Sequence, residues 1–170
     1  MFSRIIRGTF MVSLIIFFII IISSFINNEE NHQTQYYLEV INRKNDSILV
    51  KIEVAVGDKF YLDYINSKDL NPVYDTFKIR EDGIFCLLTE EYPWYGVGQE
   101  FHASKDIKYS DKLVIVNVNR EMKILPLRVA FTVEQKIRCN GEEYILSSLA
   151  DGGDPVDVII TTDEGGMNDN

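Results

Sequence analysis

The sequence predicts an all-β domain, a β-sandwich or flattened barrel of about 8 to 10 short, mainly antiparallel strands, preceded by one N-terminal transmembrane helix. Three observations carry this. An uncharged apolar run fills residues 10–26, a period-two alternation begins at Tyr36, and turn-forming residues punctuate that alternation up to Thr162. The chain is 170 residues long and 46% hydrophobic, which is one domain's length with material for a core. Its 17 basic residues against 26 acidic ones give a net charge of −9, which argues against a nucleic-acid binder. Two cysteines and two histidines are too few for a disulfide scaffold or a zinc module.

The apolar run is interrupted only by Ser13, Ser23 and Ser24. With Gly8 and Thr9 it makes a helix of about 28 Å, enough to span a hydrocarbon layer of about 30 Å. A soluble helix would carry a polar stripe, and this one is apolar all round. Arg4 and Arg7 precede it and Glu29 and Glu30 follow it, so the positive-inside rule puts the N-terminus in the cytoplasm. The reading is an anchor over residues 1–27, a cell-membrane, single-pass topology and an extracytoplasmic remainder. A cleaved secretory signal is the alternative, but Ile22-Ser23-Ser24 has a bulky residue where a cleavage site needs a small one. The part outside carries 15 basic and 26 acidic residues, so anionic headgroups would repel it.

Residues 28–35 are polar and without apolar period, a juxtamembrane linker. The β domain is read as residues 36–163. Its strand candidates are residues 36–41, 48–56, 59–65, 73–79, 83–89, 113–118, 124–133, 135–139, 143–146 and 156–162, each rich in Val, Ile, Tyr or Phe. A short turn is expected over residues 104–109. Asn140-Gly141 is the dipeptide of a type I′ hairpin, in which both central residues need φ > 0. In residues 59–65 the alternation assigns Phe60, Leu62 and Tyr64 to the core and turns Asp63 to water. Residues 164–170 read as a flexible tail.

The stretch from Tyr64 to Phe77, YINSKDLNPVYDTF, resembles the tyrosine, isoleucine, histidine, serine, acid, threonine, proline, valine signature of a bacterial family catalogued as domain of unknown function 1850. Tyr95-Gly96-Val97-Gly98 resembles that family's glycine-rich loop, and Leu127-Arg128-Val129 its late arginine strand; the likeness runs over residues 50–162. The family's histidine position is Asn66 here, and its acid is Asp69. Its members are often encoded beside membrane subunits of tripartite (TRAP) solute transporters of the TAXI class. The resemblance therefore implies an accessory role, with a transporter membrane subunit as partner.

The residues themselves leave alternatives open. Asn66, Ser67, Asp69 and Pro72, with Asp75 beyond, form either a wide turn whose side chains bond local backbone groups or a ligand site at a strand end. Asn66 cannot exchange a proton near neutral pH, which argues against acid–base catalysis. Tyr92, Trp94 and Tyr95 lie among Pro93, Gly96 and Gly98, as a plug over the sandwich or as a partner contact. Arg128 is either an exposed edge residue or the partner of Asp69 or Asp75. Residues 151–157 hold three acids, without the spacing of an EF-hand. Cys86 and Cys139 are either a disulfide or two buried thiols.

No catalytic arrangement, metal set or cofactor is expected, and the chain is not read as an enzyme. The expected function is a membrane-anchored extracytoplasmic interaction module, accessory to a solute transporter; the alternative is a small-ligand or metal-binding receptor domain. Protease applied to cells whose wall is permeable should digest an epitope placed after residue 40, and full protection of that epitope would contradict the topology.

Overall fold

Alternating apolar residues commit a chain to strands that bury one face, and pairs of such faces close on each other. The computed structural model describes residues 34–93, 107–110 and 113–163. The expected anchor, all of the linker before Thr34, Trp94, Tyr95 and the tail lie outside these residues. Among the described residues no helix is long and apolar enough to cross a membrane.

The described residues form eleven strands and one 3₁₀ turn (Leu146–Ser148): β1 (Tyr36–Asn42), β2 (Ser47–Val54), β3 (Lys59–Ile65), β4 (Pro72–Ile79), β5 (Phe85–Tyr92), β6 (Ile107–Tyr109), β7 (Val114–Met122), β8 (Ile124–Arg128), β9 (Gln135–Cys139), β10 (Glu142–Ile145) and β11 (Pro155–Thr162). They make a four-stranded sheet in the order β2-β1-β11-β8 and a seven-stranded sheet in the order β10-β9-β3-β4-β5-β7-β6. The neighbours pair antiparallel throughout. The fold is all-β and sandwich-like.

Both sheets feed one hydrophobic cluster. The smaller sheet gives Leu38, Val40, Val50, Ile52, Val156 and Val158, and the larger gives Phe60, Leu62, Phe77, Phe85, Leu87, Val116 and Ile137. Three rings form its centre: Phe60 stacks on Phe77 at 4.6 Å between centroids, and Phe85 meets their edges at 5.3 and 5.8 Å. They fix the register of β3, β4 and β5, where Phe60 stands opposite Phe77 and Phe77 opposite Leu87.

Two strands have the boundaries the pattern predicts, β3 and β9. The run expected over residues 124–133 pairs only to Arg128, because the Val129 N–H turns to Asp154 O at 2.9 Å and Val129 O accepts the Gly153 N–H at 2.7 Å. The expected turn over residues 104–109 contains a strand, β6, from Ile107. Asp63 does not face open water. It is 8% exposed, and Arg138 grips it with Nε to Oδ2 at 2.7 Å and Nη2 to Oδ1 at 3.1 Å, while stacking on Tyr61. The cysteines are both free and buried. They belong to strands separated by β3 and β4, and their side chains lie on opposite faces of the large sheet, which rules out the bridge.

Hydrogen bonds define two ends of the sandwich. At one, Gly57 N–H donates to Ile79 O at 2.9 Å and Asn140 Nδ2 to Glu53 O at 2.9 Å, near the start of β1. At the other, Arg43 N–H donates to Pro155 O at 3.0 Å and Ile65 N–H to Glu134 O at 3.2 Å. This second end gathers the β3–β4 turn, the end of β8 and the start of β11.

The hairpin between β9 and β10 has Asn140 at φ 51° and Gly141 at φ 82°, as a type I′ turn requires. A Cβ at Gly141 would meet nothing within 4 Å, so only backbone strain opposes alanine there. Gly141→Ala should therefore cost about 1 kcal/mol, lowering the melting temperature by roughly 2 to 6 °C. An unchanged midpoint in a thermal melt would contradict the turn.

Candidate functional site

The polar stretch after β3 closes on itself. Leu70 N–H donates to Asn66 O at 2.8 Å and Asn66 N–H to Asn71 O at 2.9 Å. Asn66 Oδ1 accepts the Lys68 N–H at 3.1 Å, and Asp69 Oδ1 accepts the Asn71 N–H at 3.2 Å. These are the local bonds of a wide turn, with Leu70 at φ 57°. Ser67 is exposed on it, and Pro72 opens β4 at an end of the strand, where a missing N–H costs little. Asp69 Oδ2 is buried with no hydrogen-bond partner among the described residues.

Arg128 does not pair with Asp69 or Asp75. It is exposed on β8, the edge strand of the small sheet opposite Pro155, and its Nη1 donates to Gly153 O at 2.8 Å. The Asp69 turn joins two strands of the other sheet, so the two motifs share an end of the sandwich without sharing a bond. The acidic turn after Asp151 is also closed: Asn42 Nδ2 donates to Asp154 Oδ2 at 3.1 Å and Lys44 makes an ion pair with the same carboxylate. The Lys44 hydrogen bond holds the Asp154 carboxyl below the usual range. Among the described residues no group of three metal-ligating side chains assembles.

Tyr92 is not a surface contact. It is 1% exposed, opposite Val114 in the core. Trp94 and Tyr95 lie outside the described residues.

The cluster that stands out is on the inner face of the large sheet. On β4 the inward positions are Val73, Asp75 and Phe77, as their partners Tyr64, Leu62 and Phe60 on β3 fix. Asp75 is thus a carboxyl on an apolar face, 8% exposed, with Oδ1 buried and lacking a hydrogen-bond partner among the described residues. Glu90 stands directly across from it on β5. The register of β5 slips beyond Leu87, leaving Leu88 as an extra residue, so Glu90 and Tyr92 fall on the inner face that strict alternation from Phe85 would deny them. Tyr64 completes the group from the diagonal position on β3.

Burial chiefly, with the charge of Glu90 next, pushes the Asp75 carboxyl up to about 8, against a smaller downward pull from Arg120 and a slight upward push from Asp63. Burial, then Asp75 and Glu90, also raises the Tyr64 phenol well above its ordinary value. Sequence reading grouped Asp75 with the turn and missed Glu90 and Tyr64 as its neighbours. The tyrosine stood inside the resembling motif, but the bulge that brings Glu90 inward leaves no mark on period-two alternation.

A sandwich-like all-β domain with an acidic pair on its inner face is the class of protein these features define. The chain belongs to the family described as domain of unknown function (DUF1850), whose model matches residues 60–146. That span covers all but the first residue of the seven-stranded sheet together with β8, and leaves β1, β2 and β11 outside it. No curated protein and no solved structure matches the chain.

A carboxyl whose folded pKa is raised binds its proton more tightly in the folded chain than in the unfolded one. Its stabilising effect is full below the usual carboxylate range and is lost as the pH rises towards about 8. Asp75→Asn keeps the shape without the charge. Its stability, measured by urea unfolding, should exceed that of the natural chain increasingly from pH 5 to pH 8.5; parallel pH profiles for the two would contradict the burial of an ionisable Asp75.

Proposed function

We propose that this chain is a membrane-anchored, extracytoplasmic binding domain that serves a TAXI-type tripartite solute transporter, holding a small solute against Tyr64, Asp75 and Glu90. The observation that carries the binding reading is the Asp75 carboxyl, buried on the inner face with an oxygen that has no hydrogen-bond partner among the described residues. An aspartate kept for stability alone would be better as asparagine with its bonds made, or as valine. A ligand that supplies the missing bond gives the group a use.

The transporter assignment is supported by the genomic association of the family rather than by the site. The anchor at residues 1–27 would hold the domain at the membrane face where a transporter's external surface lies. The reading gives the site no reaction. Asn66 stands where the family has histidine, and an asparagine neither takes nor gives a proton near pH 7.

The test is a thermal-stability screen of the full chain in detergent micelles against small solutes of both charges and neutral ones. A true ligand at about 100 times its Kd should add roughly 2.7 kcal/mol, a rise of several degrees in the natural chain that Asp75→Asn loses. Failure of every solute class to raise the midpoint would contradict the binding reading. Affinity capture on the anchored chain should also recover transporter membrane subunits, and their absence would overturn the transporter assignment.

A further inference from the structure

We propose that one corner of the large sheet, made of residues 89–92 of β5, residues 114–117 of β7 and the edge strand β6, is a flap that opens from β4 when Asp75 loses its proton. The flap belongs to the domain itself and does not depend on a bound solute.

Two backbone irregularities at one level draw its hinge. Between β4 and β5 the pairing is regular from Ile79 opposite Phe85 to Phe77 opposite Leu87, slips at Leu88, and resumes with Thr76 opposite Thr89. Between β5 and β7 it slips at the same place: Val118 and Asn119 fall between the partners of Leu87 and Thr89, and Asn119 takes the left-handed φ of 52°. A transverse seam therefore crosses both ladders and divides this part of the sheet in two. On one side of the seam Phe77 and Phe85 are locked together with Phe60. On the other, β5 is joined to β4 by the register pairs Thr76–Thr89, Asp75–Glu90 and Tyr74–Glu91. Beyond β5 the sheet order runs through β7 to β6, which is its edge, so the corner is attached to the rest of the sheet along β4 and at the seam.

The middle pair is the sensitive one. Asp75 is 8% exposed, its Oδ1 has no hydrogen-bond partner among the described residues, and Glu90 stands directly opposite. A neutral acid tolerates that place better than a carboxylate, which would be poorly hydrated and face another acid. Burial first, then the charge of Glu90, push the Asp75 carboxyl up to about 8. Among the described residues the groups around it are Tyr64 on the diagonal of β3, Glu90 on β5, Arg120 on β7, whose pull is downward and smaller, and Asp63, which acts from the other face of β3. The buried side chains that the small sheet adds to the core are uncharged, with Tyr36 packed against them. Parting β5 from β4 at this pair gives Asp75 to water and draws Glu90 away, so the open flap restores an ordinary carboxylate. Closure is therefore favoured most with the proton on, and this contribution is lost as the pH rises towards about 8. With an open-state midpoint of about 4, each pH unit between about 5 and 7 should raise the open population about tenfold, and above about 8 the rise should level off.

Backbone hydrogen exchange of the full chain in micelles, followed from about pH 5 to about pH 8.5, corrected for the intrinsic rate and repeated at low urea concentrations, tests this. Amides of residues 74–76 and 89–91 that donate across the β4–β5 boundary should exchange through an opening more frequent than that of residues 77–79 and 85–87. That opening should depend less on urea, because it exposes less surface than unfolding does, and should grow about tenfold per pH unit below the levelling point. Asp75→Asn should abolish the pH dependence and keep the flap closed at pH 8.5. Glu90→Gln, which leaves Asp75 ionisable, should move the levelling point to lower pH. If Asp75→Asn fails to fold, the profiles of the natural chain and of Glu90→Gln still decide. One opening frequency and one urea slope shared by both sides of the seam would overturn the flap. A flap whose opening ignores pH, or keeps its pH dependence in Asp75→Asn, would overturn the proton as its trigger, and an unmoved levelling point in Glu90→Gln would overturn the acid pair.

Discussion

Two sheets of unequal width close on a single inner face, and almost every other property of the domain follows from keeping that face dry. The smaller sheet contributes a short aliphatic surface, and the larger one answers with the Phe60, Phe77 and Phe85 rings. Each fully buried ring is worth about 1.5–3 kcal/mol, so the three together anchor β3, β4 and β5 in register. Against that background Asp75 is the exception. Its charge cannot be hydrated where it lies and Glu90 sits opposite it, so the protonated form prevails at neutral pH.

The exception is assembled by a backbone irregularity. Leu88 is inserted into β5 between two stretches of regular pairing, and this single residue inverts the phase of everything up to Tyr92. Without it Glu90 would point outwards, and Tyr92 would leave the core. Leu88 itself keeps the outer face that alternation from Phe85 gives it, where with Lys78, Cys86 and Glu121 it lines a groove. A bulge at the place where an acid is brought beside another acid fits the habit of such features to re-aim side chains at working sites. The polar turns tell the opposite story: the Asn66–Asn71 loop bonds largely to itself, and the Asp151–Asp154 turn bonds to the β1–β2 turn and to the end of β8, so both serve the fold first.

Much of the architecture is legible in the chain because alternation and turn chemistry act locally. Asn140-Gly141 sets its hairpin, and the two strands that meet there, β9 and β10, stand close to where the pattern places them. The candidate site is legible only in part. Tyr64 and Asp75 belong to a recognisable motif, but their relation to Glu90 depends on a register slip that composition and period do not encode. Arg128 is legible only as a choice. Its place between apolar neighbours leaves open an exposed edge residue or a pair with Asp69 or Asp75, and the structure shows the first, with the Gly153 carbonyl accepting from it. Asp63 is the expectation that fails, because alternation gives the face of a residue and says nothing of a long side chain such as Arg138 folding across that face.

The inner-face cluster depends on Asp75 being a carboxyl held protonated by burial. Carbon-detected NMR of the side-chain carboxyls, with Asp75→Asn to assign the resonance, measures this directly. The Asp75 carboxyl should titrate with a midpoint of about 8. A midpoint near 4, the ordinary aspartate range, would contradict it.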